Sequence, residues 1–125
     1  MEKTKHFIGK VTGGLGKAQL FVAMPFYSKQ FVKKLGFKPF PGTLNLRVEP
    51  KVKKALVKGK AIRITGRNGK GGATCFAIKL NKLNCFLIIP DKTTHSANVV
   101  EILSKHNLRK KLKLRNGCPV KLKLV

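Results

Sequence analysis

Tryptophan is missing from the 125 residues, tyrosine occurs once, and only four side chains are acidic: Glu2, Glu49, Asp91 and Glu101. Long apolar runs are missing too. The longest, Cys85-Phe86-Leu87-Ile88-Ile89, is far short of the roughly 18 residues that a membrane-spanning helix needs, so no membrane partner is expected. The segment Met1-Glu2-Lys3-Thr4-Lys5-His6 is followed by neither an apolar stretch nor a small-residue cleavage site; no standard secretion signal is expected, and a cytoplasmic location is. Cys75, Cys85 and Cys118 are odd in number and lack any C-x-x-C spacing. They speak against a disulfide framework and a structural zinc site, and read as small hydrophobes in a reducing compartment.

Against this scarcity of acids stand 28 lysines and arginines, giving a formal charge of +24, with 42% hydrophobic residues. A chain of this length and apolar content can bury a core as one domain. The charge points to a polyanionic partner and to nonspecific nucleic-acid affinity. The bases also alternate with apolar residues, as in Val120-Lys121-Leu122-Lys123-Leu124 and Ala61-Ile62-Arg63-Ile64, and such lysines equally suit the wet faces of half-buried strands.

His6 to Thr12 reads as a strand. Gly13-Gly14-Leu15-Gly16 breaks it before a second strand from about Gln19 to Met24, which predicts a hairpin with a glycine-rich tip. Ser28 caps a short helix over Lys29–Leu35, which Gly36 stops. Pro39-Phe40-Pro41-Gly42 then gives a stiff approach to a strand over Thr43–Val48. Further strands are expected from Gly59 through Thr65, Thr74 to Leu80, Leu83 to Ile89 and Pro119 to Val125, with a turn at Asn68-Gly69. Ser96 is placed to cap a second helix whose inward stripe is Val99, Ile102, Leu103 and His106. Short strands and two helices in so few residues imply a mainly β fold, a small closed barrel.

Several segments carry chemistry, each with a plainer reading beside it. Thr43 and Asn45 share one strand face and offer two neutral oxygens to a hard cation such as magnesium, or else simply fill a polar face. Gly14-Leu15-Gly16-Lys17 follows a strand, so its backbone N–H groups suit a phosphate, or the tip is only a turn. Asp91-Lys92-Thr93-Thr94-His95 offers hydroxyls to a ligand or caps to a helix. Glu101, opposite the apolar stripe, reads as solvent-facing. Asn107-Leu108-Arg109-Lys110 suits an anion, or answers a helix C-terminus. His95 has no evident partner for nucleophilic chemistry, and no general base is assigned.

Taken in order, Gly14-Leu15-Gly16, Leu35-Gly36-Phe37-Lys38-Pro39-Phe40-Pro41-Gly42-Thr43-Leu44-Asn45-Leu46, Pro90-Asp91-Lys92-Thr93-Thr94-His95, Glu101-Ile102 and Leu108-Arg109 closely resemble the archaeal CTP-dependent riboflavin kinases, from about Ile8 to Leu124. The L-G-F-x-P-[FY]-x-G-T-L-N stretch is the most specific part. The resemblance implies a six-stranded cradle-loop barrel that transfers the γ-phosphoryl of CTP to the ribityl hydroxyl of riboflavin, giving FMN and CDP; a monomer is expected. It implies a metal on Thr43 and Asn45, with magnesium or another divalent ion as cofactor. It implies nucleotide contacts at Gly14, Leu15, Gly16, Lys17, Ala18 and Gln19 and again at Asn107, Leu108, Arg109 and Lys110, and flavin contacts at Thr93 and Glu101. Phe26, Tyr27, Phe37 and Phe40 become pocket wall. Lys17 and Ala18 depart from the family, whose first loop usually continues with an acidic residue and another glycine. A single domain over 1–125 is expected, without the winged-helix domain that some relatives carry before it. A basic nucleic-acid-binding barrel and a flavin or nucleotide binder without catalysis are the alternatives.

Overall fold

The computed structural model describes residues 6–13, 22, 24–67, 69, 71–91 and 97–125. Among these the order of elements is β1 (His6–Thr12), α1 (Pro25–Leu35), β2 (Leu44–Arg47), α2 (Pro50–Leu56), β3 (Ala61–Ile64), β4 (Ala73–Leu80), β5 (Leu83–Pro90), β6 (Val99–Leu103), α3 (Leu108–Lys111) and β7 (Pro119–Leu124). Six strands close on themselves as β4-β5-β6-β2-β1-β7 and back to β4, every pairing antiparallel. The expected six-stranded closed barrel is therefore present. A seventh strand, β3, shares one edge of β4 with β7: Ala73–Phe76 pair with β3, and Ile78–Leu80 with β7.

Alternation sorts the side chains into two layers. All six ring strands contribute to the interior, through Val11, Leu44, Leu46, Ile78, Leu80, Leu87, Val100, Ile102, Val120 and Leu122, joined by Val52 and Leu56 of α2. On the outer face, Phe31 and Tyr27 of α1 pack with Ile64, Ala73, Cys75, Ile88 and Leu103. Burial pushes the Cys75 thiol up to about 12 and raises that of Cys85, in keeping with cysteines that act as small hydrophobes.

Three expectations need correction. β1 pairs with β2 and β7; of the strand expected over Gln19–Met24 only Val22 and Met24 are described, and Val22 is helical, the rest lying outside the described residues. The first helix starts at Pro25, with Met24 as N-cap and proline at its first turn, before ending at Gly36 (φ 87°) as expected. Most consequential, Val99–Leu103 is a strand rather than a helix face. It lies between β2 and β5 and is buried on both sides, Val100 and Ile102 inward and Leu103 against the outer layer. A strand covered on both faces loses the polar–apolar alternation that marks a half-buried one, and period alone then does not separate it from a helix. Two helices, α2 and α3, were not anticipated, so that besides helical Val22 the described residues hold three short helices where two were expected.

Candidate functional site

Strand register builds one wall of the site. Glu101 on β6 lies opposite Asn45 on β2, and Asn45 lies opposite Thr12 on β1, so three polar residues form a row across three strands. Asn45 is 6% exposed and Glu101 only 1%, which corrects the solvent-facing reading of Glu101. Thr43, just before β2, donates its hydroxyl to Glu101 Oε1 at 2.8 Å. With its proton committed to the carboxylate, the hydroxyl turns its lone pairs elsewhere, as a ligand oxygen must. Lys53 of α2 feels the same carboxylate: desolvation lowers its ammonium pKa, and the charge of Glu101 opposes that shift.

The second wall is the entry to α3. Asn107 caps this short helix, its Oδ1 accepting from Lys110 N–H at 3.3 Å, while Leu108 is buried and Lys110 faces solvent. Arg109 Nη2 donates to the Thr12 carbonyl at 3.0 Å and to Asn116 Oδ1 at 2.7 Å. The guanidinium thus ties α3 to the end of β1, where the glycine-rich loop begins. A Cβ on Gly13 would stand 3.1 Å from Asn116 Nδ2, so the chain leaves the barrel pressed against the residue that holds Arg109. Beside α3, His106 has its pKa lowered by desolvation and by the charges of Lys111 and Lys105.

Between the walls lies a cavity of about 170 Å³, lined by Phe40, Gly42, Thr43, Leu44, Asn107, Leu108 and Arg109. Phe40 N–H donates to the Ser104 carbonyl at 2.8 Å; Phe37, expected as pocket wall, is not among the lining residues, and its ring sits 5.9 Å from that of Phe86. Phe40 is pocket wall as expected. Tyr27 instead belongs to the outer core layer, its hydroxyl donating to the Gly71 carbonyl at 3.0 Å, and Phe26 packs edge-on against it at 5.2 Å.

The structure brings together Thr43, Asn45 and Glu101 in one cluster, and Thr43 with Asn107, Leu108 and Arg109 around one cavity. Gly14, Leu15, Gly16, Lys17, Ala18, Gln19 and Thr93 lie outside the described residues. Asn116 was missed in the sequence, where Asn116-Gly117 reads as no more than a turn; Gly117 does take φ 90°. No three His, Cys, Asp or Glu side chains cluster among the described residues, so a soft or borderline metal has no cage there. A hydroxyl oriented by a carboxylate, with a buried amide beside it, is a hard-oxygen set that fits magnesium-like ions when phosphate and water complete the shell.

A closed antiparallel barrel with these groups gathered where β1 ends and β2 begins defines a barrel with a polar ligand cradle at one rim. The sequence profile of the CTP-dependent riboflavin kinases, described as a domain of unknown function, DUF120, matches residues 11–124, and the chain belongs to this family. Similar proteins include those named riboflavin kinase in Methanocella arvoryzae (37% identity; 93% of this chain, 55% of the relative), Methanosarcina barkeri (36%; 93% and 55%) and Sulfurisphaera tokodaii (34%; 98% and 96%). The chain thus spans about half the length of the first two and nearly all of the third.

Proposed function

We propose that this protein is a riboflavin kinase that uses CTP, transferring its γ-phosphoryl group in line to the ribityl 5′-hydroxyl of riboflavin and releasing FMN and CDP. The observation that carries this reading is the meeting of Thr43, hydrogen-bonded to buried Glu101, with the Asn107–Arg109 segment around one cavity. Membership of the family supports the choice of donor and acceptor.

Phosphoryl transfer demands alignment and neutralisation of charge more than a strong base, so a site with few acids suffices and none needs to act as general base. Thr43 and Asn45 would hold magnesium or another divalent ion, which when bound supplies charge neutralisation at the phosphate oxygens. Glu101 fixes the Thr43 hydroxyl so that its oxygen faces outward as an acceptor. Arg109 spends one nitrogen on Thr12 and Asn116; a guanidinium has five donors, and those remaining reach nucleotide phosphate together with Asn107, Leu108 and Lys110. Gly14 to Gln19 supply the other nucleotide contacts, and Thr93 and Glu101 the flavin contacts.

The test is conversion of riboflavin to FMN by purified, nucleic-acid-free protein with magnesium, comparing CTP, ATP, GTP and UTP. FMN with CTP and little with ATP is expected, and Thr43→Ala or Asn45→Ala abolishes turnover. No FMN with any donor, but binding of riboflavin or CTP, would make the protein a non-catalytic binder. Full activity in both variants at limiting metal would remove the metal assignment.

A further inference from the structure

On the outer face of the barrel, away from the polar row, strands β4, β7 and β1 carry bases in direct opposition. Lys79 pairs across to Lys123, which pairs in turn to His6, and Lys121 lies opposite Ile8. Together with Lys82 at the β4–β5 turn, these residues line an open groove of about 820 Å³ that no carboxylate side chain lines among the described residues. The described acids are engaged elsewhere: Asp91 with Arg63, Glu49 with Lys51, and Glu101 with Thr43. Like charges directly opposite each other on a sheet repel, so this face holds a repulsion that none of the described carboxylates compensates.

We propose that this groove is a docking surface for the sugar–phosphate backbone of a nucleic acid, separate from the kinase site. Charge complementarity selects the partner: three lysines on the adjacent strands β4 and β7, with Lys82 at the turn beside them, present a row of cations to a regularly spaced polyanion, whose binding relieves the Lys79–Lys123 repulsion. Among the described residues no Phe, Tyr or Trp lines the groove and His6 is its one aromatic ring, so there is no stacking platform for successive bases, and the contact reads phosphates without sequence. Ile8, 52% exposed, is too little apolar surface for insertion into a bilayer. Neither the groove nor its occupant depends on the kinase reading.

The experiment is fluorescence anisotropy of a labelled oligouridylate of about 20 nucleotides, and of a duplex of equal length, over a salt series. The full-length K79Q/K82Q/K121Q/K123Q variant is expected to bind at least tenfold more weakly, with a log–log salt slope shallower by about 3 on the single strand. A charge-matched variant elsewhere, K29Q/K33Q/K38Q/K60Q, keeps most of the binding. Should the fourfold variant fail to fold, K79Q/K123Q serves in its place, with a slope shallower by about 1 to 2. Unchanged binding in the groove variant overturns the proposal. Equal loss in the charge-matched variant also overturns it, because net charge alone would then act. Binding to phosphatidylserine vesicles but to neither oligonucleotide assigns the face to membranes instead and overturns it as well.

Discussion

Thr43 does two things at once, and substitution separates them. As a hydrogen-bond donor it satisfies a carboxylate that is 1% exposed; as an oxygen it faces the cavity. Thr43→Val leaves the buried Glu101 short of a partner, a loss of about 1 to 3 kcal/mol, and also removes the ligand oxygen. Thr43→Ser keeps both. Urea denaturation and FMN formation are therefore expected to fall together in the valine variant and stay near wild type in the serine variant; a stable but inactive serine variant would sink the shared role. Asn116 accepts from Arg109 at 2.7 Å, and under the proposed function it acts as a positioning residue through that guanidinium. Asn116→Leu is expected to raise the KM for CTP several-fold, leaving the KM for riboflavin and the melting temperature little changed. A drop in melting temperature with both KM values unmoved would make Asn116 merely structural.

At the scale of elements, Asp91 binds the end of β5 to two neighbours. Its carboxylate pairs with Arg63 of β3, and Oδ2 accepts from Gly72 N–H at 3.0 Å. The hydrogen bond from Arg63 is the first cause that holds this carboxyl below its ordinary value. A lowered folded-state pKa contributes stability that is complete above the unfolded value of about 3.9 and is lost as pH falls through the lower folded value. Asp91→Asn should therefore be less stable than wild type at neutral pH, with the gap closing in acid; a gap constant from pH 7 to pH 3 would exclude the linkage. Gly72 is fixed more rigidly still, since a Cβ there would lie 2.0 Å from the Ile64 carbonyl oxygen. Gly72→Ala is expected to separate β3 from β4, seen as early loss of amide protection in Ala61–Ile64. Strands whose two faces differ, such as β1 and β7, were legible from alternation alone. β6 was not, because both its faces are covered, and misreading it as a helix also put Glu101 in solvent. The helix α2 left a faint signal, Pro50 at the first turn with Val52 and Leu56 four apart, too short to stand out.

For the whole molecule, a charge of +24 works against compaction by self-repulsion, which salt screens. Melting temperature is expected to rise between low salt and about 0.5 M sodium chloride, where the Debye length falls well below the 10 Å of 0.1 M; a flat or falling curve would show that the bases are already balanced. The closed barrel and the T-L-N cluster could be read before any coordinates because they rest on local patterns and one long motif. The cavity and the clamp from Arg109 to Thr12 could not, for both join residues far apart in the chain, 97 positions apart in the clamp.

That same long reach governs how the barrel is made. His6 lies beside Lys123, so the first strand waits for the last, and β4 cannot complete its split edge until β7 arrives. During synthesis on the ribosome the sheet remains an open strip with two bare edges, and it becomes a cylinder only when residues 119–124 emerge. A chain interrupted a few codons early would be left not as a slightly weaker barrel but as a strip open to pairing with its neighbours.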